Sequence, residues 1–239
     1  MKESATTGIA LDGGAMRLSF FGGFLQKIQE EGYPVDEMVG ISSGALVALG
    51  FMAGFSMQEV YDTHLQWIYE RRLQYNIYEK YLDHFDYLLT DEMIAGLNGR
   101  LKIVASRLTL LGPRTEVFDH FKDKADLKNK ILASGSIPYF NQFPLWMNGN
   151  LYVDGYVTCR NPAQYLSASD KLSVLAIREF SDSDGAARLG DTVEMRSFEG
   201  FPAVYTFVAS KDAIQAWFRY GYRQAEDYLS RTNRICFHR

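Results

Sequence analysis

The order of predicted elements in the first fifty or so residues restricts the fold most strongly. Residues 8–11 are a short apolar run that predicts a buried strand, and the tight Asp12-Gly13-Gly14 loop follows. Apolar residues then recur at helical spacing over residues 19–31, and residues 37–39 predict a second strand. An apolar helix is predicted over about residues 45–53. This alternation is typical of a βαβ unit with a parallel sheet, so we predict an α/β fold.

The remaining chain extends the alternation. Residues 57–99 contain no proline and have helical periodicity, which predicts two or three helices beside the sheet. A hairpin is predicted where Asn148-Gly149-Asn150 separates two apolar runs, residues 145–147 and 151–153. Residues 181–190 are rich in Asp, Ser and Gly and predict a surface loop. The other predicted elements are a strand at 102–109, a helix at 122–133, a buried strand at 172–177 and a long amphipathic helix from 209 to about 230.

Length and composition limit the function classes. A chain of 239 residues favours one α/β domain over two, spanning residues 1–239. The formal net charge of −4 argues against nucleic acid as a partner, because a nucleic-acid footprint needs a dense basic face. Aromatic residues make up 14% of the chain, which fits a large aromatic core. Some of these rings could instead line an acyl pocket or sit at a lipid interface, and the sequence does not separate the two.

Cysteine and histidine usage gives no sign of a metal or another cofactor. Cys159 and Cys236 are far apart, and the four histidines are scattered without ligand spacing. The N-terminus lacks the apolar segment of a signal peptide, and no apolar run is long enough to span a membrane. We therefore expect a cytoplasmic protein, although export by a route without a cleaved signal would leave the same sequence.

A candidate nucleophile lies between the second predicted strand and the next helix. Gly40-Ile41-Ser42-Ser43-Gly44 fits the G-x-S-x-G pattern, in which a sharp strand-to-helix turn presents the central serine hydroxyl. The five-residue pattern is weak when it stands alone. Here the preceding apolar strand and the following apolar helix supply the context that the motif requires, so Ser42 is the predicted nucleophile and Ser43 its neighbour.

The glycine loop after the first strand predicts a site for negative charge. Backbone N–H groups of the loop that begins at Asp12-Gly13-Gly14 could converge on the oxyanion of a tetrahedral intermediate. A phosphate-binding turn of a nucleotide-binding fold is the alternative. Neither the G-x-G-x-x-G nor the P-loop spacing is present, which favours the oxyanion interpretation.

A catalytic base is harder to find among the histidines. His64, His84 and His120 precede the late strands, and His238 is the penultimate residue, where chains fray. Asp154 instead follows a short apolar strand and precedes Gly155. Taken alone, this Asp-Gly pair would be an ordinary turn.

In order and spacing, the three motifs resemble those of the patatin-like phospholipase family. That family has a D-G-G-G-x-R/K-G loop, then G-x-S-x-G, then D-G-G/A. Residues 12–18 match the first element with Ala15 and Leu18 in place of glycines, and residues 154–156 match the third with Tyr156 in place of a small residue. Residues 133–138 resemble the A-S-x-A-x-P segment that precedes the aspartate. The similarity covers roughly residues 7–165.

The resemblance implies a three-layer α/β/α fold and a Ser–Asp dyad. Ser42 would attack a fatty-acyl ester, Asp154 would act as the base, and the amides of Gly13, Gly14 and Ala15 would hold the oxyanion. Arg17 would either bind a lipid phosphate or brace the loop. The implied partners are a lipid or acyl-ester substrate and, transiently, a membrane surface. The oligomeric state stays open.

Two other functions remain to be weighed against this one. The fold could serve as a lipid-binding or interaction module, with Leu18 and Tyr156 closing the site. The intact set of Ser42, Gly44 and Asp154 argues against such decay. A histidine-dependent esterase of another fold is disfavoured by the histidine positions.

Overall fold

The structure, a computed structural model, describes residues 6–71, 77–138, 141–176, 190–195 and 209–236. The strands are β1 (Thr7–Leu11), β2 (Glu37–Ile41), β3 (Leu101–Thr109), β4 (Gly112–Phe118), β5 (Leu145–Met147), β6 (Asn150–Val153), β7 (Asp170–Leu175) and β8 (Asp191–Glu194). They form one eight-stranded mixed sheet. Its parallel pairs are β1–β2, β1–β7, β2–β3 and β7–β8, and its antiparallel pairs are β3–β4, β3–β6 and β5–β6.

The α-helices pack mainly against one face of this sheet. Side chains of α1, α2, α3, α6 and α7 form a single core with the strand residues that point to that face, among them Ile9, Met38 and Ile103. On the other face, a smaller cluster joins Ala10 and Val39 to a segment with two 3₁₀ helices, Gly155–Val157 and Pro162–Tyr165. The α-helices are α1 (Leu18–Glu30), α2 (Ser43–Met52), α3 (Met57–Arg71), α4 (Ile77–Leu88), α5 (Asp91–Leu97), α6 (Lys124–Ser134) and α7 (Lys211–Cys236).

Strand β3 joins a parallel and an antiparallel part of the sheet. Its first half, Leu101 to Val104, pairs with β2, and its second half, Ser106 to Leu108, pairs with β6. Because β4 occupies the opposite edge of β3 over both stretches, β2 and β6 must share one edge, one after the other. Strands β4, β6, β5 and the second half of β3 therefore extend beyond the carboxyl end of β2. We call these strands the antiparallel extension.

The predicted α/β class is confirmed: the sheet is mostly parallel and is flanked by helices. Three helices occupy residues 57–99, and the predicted hairpin is present as β5 and β6. Strands β4 and β8 are not predicted by the sequence pattern. Strand β4 begins Gly-Pro-Arg and has an exposed or half-buried pattern, which hides an edge strand, and β8 has only four residues. Residues 181–189 of the predicted surface loop lie outside the described residues.

None of the helices in the described part of the chain combines the length and the apolar character needed to cross a membrane.

Candidate active site

Ser42 occupies a strained turn between β2 and α2. Its backbone has φ 53° and ψ −126°, a region that non-glycine residues rarely adopt. Both motif glycines are needed for space: a Cβ on Gly40 would stand 2.4 Å from the Cα of Ala45, and one on Gly44 would stand 2.3 Å from the carbonyl oxygen of Asp12. Although Ser42 is the N-cap residue of α2, its side chain makes no capping hydrogen bond. The hydroxyl is thereby kept available for chemistry at the N-terminus of that helix.

Asp154 lies directly after β6 and is 8% exposed. Its Oδ1 accepts a hydrogen bond from the Tyr156 amide at 2.8 Å. Burial raises the pKa of its carboxyl from an ordinary value of 3.8 to about 6, and hydrogen bonding by the Ser42 side chain and the Tyr156 amide offsets this only in part. The Ser42 hydroxyl therefore faces this carboxyl group. The contact is loose, because Oδ2 has no partner of ordinary hydrogen-bond geometry among the described residues.

The shared edge of β3 explains why two residues so distant in sequence meet. Strand β2 ends at Ile41, opposite Val104, and β6 ends at Val153, opposite Ser106. Since these partners are two residues apart on one strand, the two ends approach to roughly 7 Å along β3. Gly155 completes the approach, because a Cβ there would stand 2.2 Å from the Val104 carbonyl oxygen.

A buried serine at the end of α6 supports the turn. Ser134 Oγ accepts a hydrogen bond from the Ser42 amide at 2.8 Å and donates one to the Val104 carbonyl at 2.6 Å. Two residues on, the Ser136 carbonyl accepts a hydrogen bond from the Asp154 amide at 3.0 Å. The segment that resembles A-S-x-A-x-P thus holds the backbone of both Ser42 and Asp154. The resemblance alone assigns no role to Ser134.

The glycine loop packs against Ser42. A Cβ on Gly13 would lie 3.6 Å from the Cβ of Ser42. The Gly14 amide, however, donates a hydrogen bond to Ser43 Oγ at 3.0 Å. Among the described residues, the amides of Gly13 and Ala15 have no hydrogen-bond acceptor. Of the three amides expected at an oxyanion, Gly13 and Ala15 are therefore available, and Gly14 anchors the loop to the nucleophile turn.

Two charged residues of the loop hold the backbone of one residue, Ala176, directly after β7. Asp12 Oδ1 accepts a hydrogen bond from the Ala176 amide at 2.8 Å, and Arg17 Nη1 donates one to the Ala176 carbonyl at 2.9 Å. Asp12 is 2% exposed, so its carboxylate is held inside the protein. Of the two roles expected for Arg17, binding a lipid phosphate or bracing the loop, this contact supports the second.

A model of the patatin-like phospholipase family matches residues 9–167, more than half of the chain. The chain belongs to the patatin-like phospholipase family. This confirms the resemblance found in the motifs. Among curated proteins, none matches the sequence.

Several solved structures of bacterial proteins are similar to this chain in fold. VipD from Legionella pneumophila superposes with a TM-score of 0.57 at 12% identity, over 95% of this chain and 67% of that chain. The heterodimeric ExoU–SpcU complex from the type III secretion system of Pseudomonas aeruginosa gives a TM-score of 0.56 at 12% identity, over 95% and 52%. The type III effector ExoU gives 0.51 at 16%, over 95% and 53%. The chain thus spans about two-thirds of VipD and half of ExoU, and at these identities the likeness is one of fold.

The departures from the patatin-like motifs have different structural consequences. Ala15 adopts φ 45°, a left-handed conformation that a glycine would adopt without strain. Leu18 is 6% exposed and belongs to the helical core. Tyr156 lies over the loop, because a Cβ on Gly13 would be 3.2 Å from its ring. The Arg160 guanidinium lies 4.7 Å from the centre of that ring. Tyr156 thus packs beside the glycine loop, whereas Leu18 packs in the helical core.

Among the histidines, the structure describes only the side chain of His120, and this residue is remote from Ser42 and Asp154. His120 is exposed and follows β4, at the end of the sheet where β3 begins. The side chains of His64 and His84, and all of His238, lie outside the described residues. In the described ranges, no group of three or more His, Cys, Asp or Glu residues could hold a metal ion.

Proposed function

We propose that the protein is a serine acyl hydrolase that cleaves fatty-acyl esters of lipids, as a phospholipase A or lipid esterase, with Ser42 and Asp154 as its catalytic dyad. One observation carries the proposal: a buried carboxyl with a pKa raised to about 6 faces the hydroxyl of a serine on a strained strand-to-helix turn. Family membership supports a lipid as the substrate.

The raised pKa suits Asp154 to act as the base near neutral pH. At pH 7 the carboxyl is mostly ionised, yet it is a stronger base than an exposed aspartate. In the proposed reaction, Ser42 Oγ attacks the ester carbonyl while Asp154 accepts the hydroxyl proton. The proton then passes to the leaving alcohol, which gives an acyl-enzyme. Asp154 next activates a water molecule that hydrolyses this ester and regenerates Ser42.

The loop amides would stabilise the negative charge on the tetrahedral intermediate. In this proposal, the Gly13 and Ala15 amides donate to the oxyanion, and the Gly14 amide stays with Ser43. The N-terminus of α2 adds the favourable end of a helix dipole at Ser42. Ser43 would be a positioning residue, since it acts on the oxyanion through the loop.

Labelling with a fluorophosphonate probe tests the proposal directly. We expect one adduct, on Ser42, together with hydrolysis of a short p-nitrophenyl ester. Ser42→Ala should abolish both and leave the fold intact, with a loss of several orders of magnitude in turnover. The matched control is Ser43→Ala, which should retain measurable labelling. Activity lost in Ser43→Ala but kept in Ser42→Ala would show that Ser43 is the nucleophile.

A lipid-binding module without catalysis is the alternative. It is favoured by one observation: Ser42 is only 3% exposed, and the Tyr156 ring lies beside the glycine loop. The same probe separates the two functions, because a folded wild-type protein that forms no adduct would support the binding module. If Tyr156→Ala then labelled at Ser42, the ring would be identified as the group that closes the site.

A further inference from the structure

The antiparallel extension exposes apolar side chains that the dyad does not use. Leu110 and Leu111, in the turn between β3 and β4, are 106% and 85% exposed. If this turn contacted only water, two adjacent leucines would not be expected to project from it without contacts. Exposed apolar groups of this kind mark surfaces that bind a partner or a membrane.

A row of apolar residues crosses the extension below this turn. Pro113, Leu108, Leu151 and Trp146 stand directly opposite one another on β4, β3, β6 and β5, so all four side chains share one face of the sheet. Trp146 is 65% exposed and Leu108 is 38% exposed. We call these four residues the apolar row. With the two leucines of the turn, it forms a continuous apolar strip across four strands.

Two backbone groups of the turn form hydrogen bonds within the turn, which favours its transfer out of water. Thr109 Oγ1 donates a hydrogen bond to the Gly112 carbonyl at 2.7 Å and accepts one from the Leu111 amide at 3.3 Å. These bonds pair backbone groups that would otherwise need water, and they direct the two leucines outward. Pairing of backbone groups is what a segment requires in order to enter the boundary between headgroups and acyl chains.

Charge on the extension and on the segment that follows β6 matches an anionic surface, in contrast to the acidic chain as a whole. Over residues 106–116 and 143–160 the charged residues are Arg107, Arg114, Arg160, Glu116 and Asp154. Asp154 is buried, and Glu116 forms an ion pair with Arg107. Arg107 and Arg114 are opposite one another, each three residues from the nearer leucine of the turn, on the sheet face opposite to the apolar row. Long arginine side chains there could reach phosphate groups beside an inserted turn.

The apolar row lies close to the dyad. Leu151 precedes Asp154 by three residues on β6, which corresponds to roughly 10 Å of strand. A surface that held the row would therefore present lipid beside Ser42. A protruding turn with outward leucines fits a deformable lipid surface better than the preformed pocket of a protein.

We propose that the leucine turn and the apolar row are a docking surface for an anionic lipid membrane. Leu110 and Leu111 enter the acyl boundary, Trp146 lies at headgroup depth, and the arginines contact lipid phosphates. The proposal rests on the proposed function only for the substrate, because docking itself requires no catalysis.

The test is co-sedimentation of the full chain with vesicles of phosphatidylcholine alone and of equal parts phosphatidylcholine and phosphatidylserine. Ser42→Ala is the background, so the lipid stays intact. In that background, Leu110→Ser/Leu111→Ser should weaken binding to the mixed vesicles on the order of 100-fold. The matched control is Tyr87→Ser/Leu88→Ser, a second adjacent pair of exposed apolar residues, 93% and 47% exposed, at the end of α4. It should bind as the parent does. Arg114→Gln should weaken binding about fivefold, and only to the vesicles with phosphatidylserine.

Hydrolysis of a short soluble ester, measured with Ser42 present, separates docking from chemistry. The leucine variant should hydrolyse it at the parent rate. If the wild-type chain hydrolyses no ester but vesicle binding still depends on the leucines, docking stands and the proposed function fails. Docking is overturned if the leucine variant binds vesicles as tightly as the parent, or if the parent binds neither vesicle. The latter result would assign the surface to a protein partner.

Discussion

Glycine residues are needed in the parallel part of the sheet and in the antiparallel extension for different physical reasons. At the carboxyl ends of β1 and β2, Gly40 and Gly44 are required by space, since a Cβ would stand within 2.4 Å of backbone atoms. In the extension, Gly112 and Gly149 meet nothing within 4 Å but adopt φ of 107° and 78°. The first pair allows close packing around the nucleophile, and the second pair allows tight turns in exposed hairpins.

The proposed dyad takes one residue from each part. Ser42 follows β2, whose five residues are all buried, whereas Asp154 follows β6, whose first two residues are only half-buried. In the proposed reaction, the parallel part of the sheet fixes the nucleophile, and the extension brings the base and the route for lipid. Three variants test this division of roles.

Asp154→Asn should have the largest effect. Because the carboxyl group would be the base itself, we expect turnover of a p-nitrophenyl ester to fall by about 1,000-fold or more, nearly as far as in Ser42→Ala. His120→Gln is the control among the described residues and should keep most of the turnover. A loss in any single His→Gln variant that equals the loss at Asp154 would replace the dyad with a triad.

The same position should link activity and stability to pH. Activity should rise as Asp154 ionises, with an apparent pKa of about 6. Since the folded pKa lies above the unfolded value, the stability that the protonated group contributes is lost as the pH rises through about 6. Asp154→Asn should therefore stabilise the fold by up to about 3 kcal/mol near pH 7 and by progressively less toward pH 4. Urea unfolding at several pH values measures this, and a gain that is constant with pH would contradict it.

Gly44→Ala should test the packing of the parallel part. The added methyl group would stand 2.3 Å from the Asp12 carbonyl oxygen, so either the loop or α2 must move. We expect a loss of about 3 kcal/mol in the free energy of unfolding, with a loss of activity. Gly96→Ala in α5 is the matched control, because nothing lies within 4 Å of it. That change should stabilise the helix by about 1 kcal/mol. Equal effects at both sites would show that the close contact at Gly44 is unimportant.

Ala15→Gly should have the smallest effect. It removes the strain of φ 45° but increases the freedom of the unfolded chain, so we expect a net gain of about 0.5 kcal/mol. Activity should be retained, because the amide that would face the oxyanion is unchanged. Thermal unfolding and ester hydrolysis measure the two effects. A clear destabilisation would mean that the Ala15 methyl group makes contacts that outweigh the strain.

Local spacing determined much of the fold and the identity of the candidate residues. The first βαβ unit, the G-x-S-x-G turn and the hairpin before Asp154 are short segments whose glycines and apolar periods are visible in the sequence. Strand β4 is not predicted by the sequence, because an edge strand is only half-buried and its apolar pattern is therefore weak.

Long-range pairing decided what those residues do together. Only the register of β3 with β2 and β6 places the end of one strand beside the end of another and so brings Asp154 to Ser42. The motif does not separate the amides of Gly13, Gly14 and Ala15 by their contacts, but a hydrogen bond to Ser43 engages the Gly14 amide. Likewise, Leu18 and Tyr156 both replace small residues, and only the packing separates a core leucine from a ring at the site. Spacing along a chain fixes local conformation, whereas contacts between distant segments depend on strand register and burial, which no single segment contains.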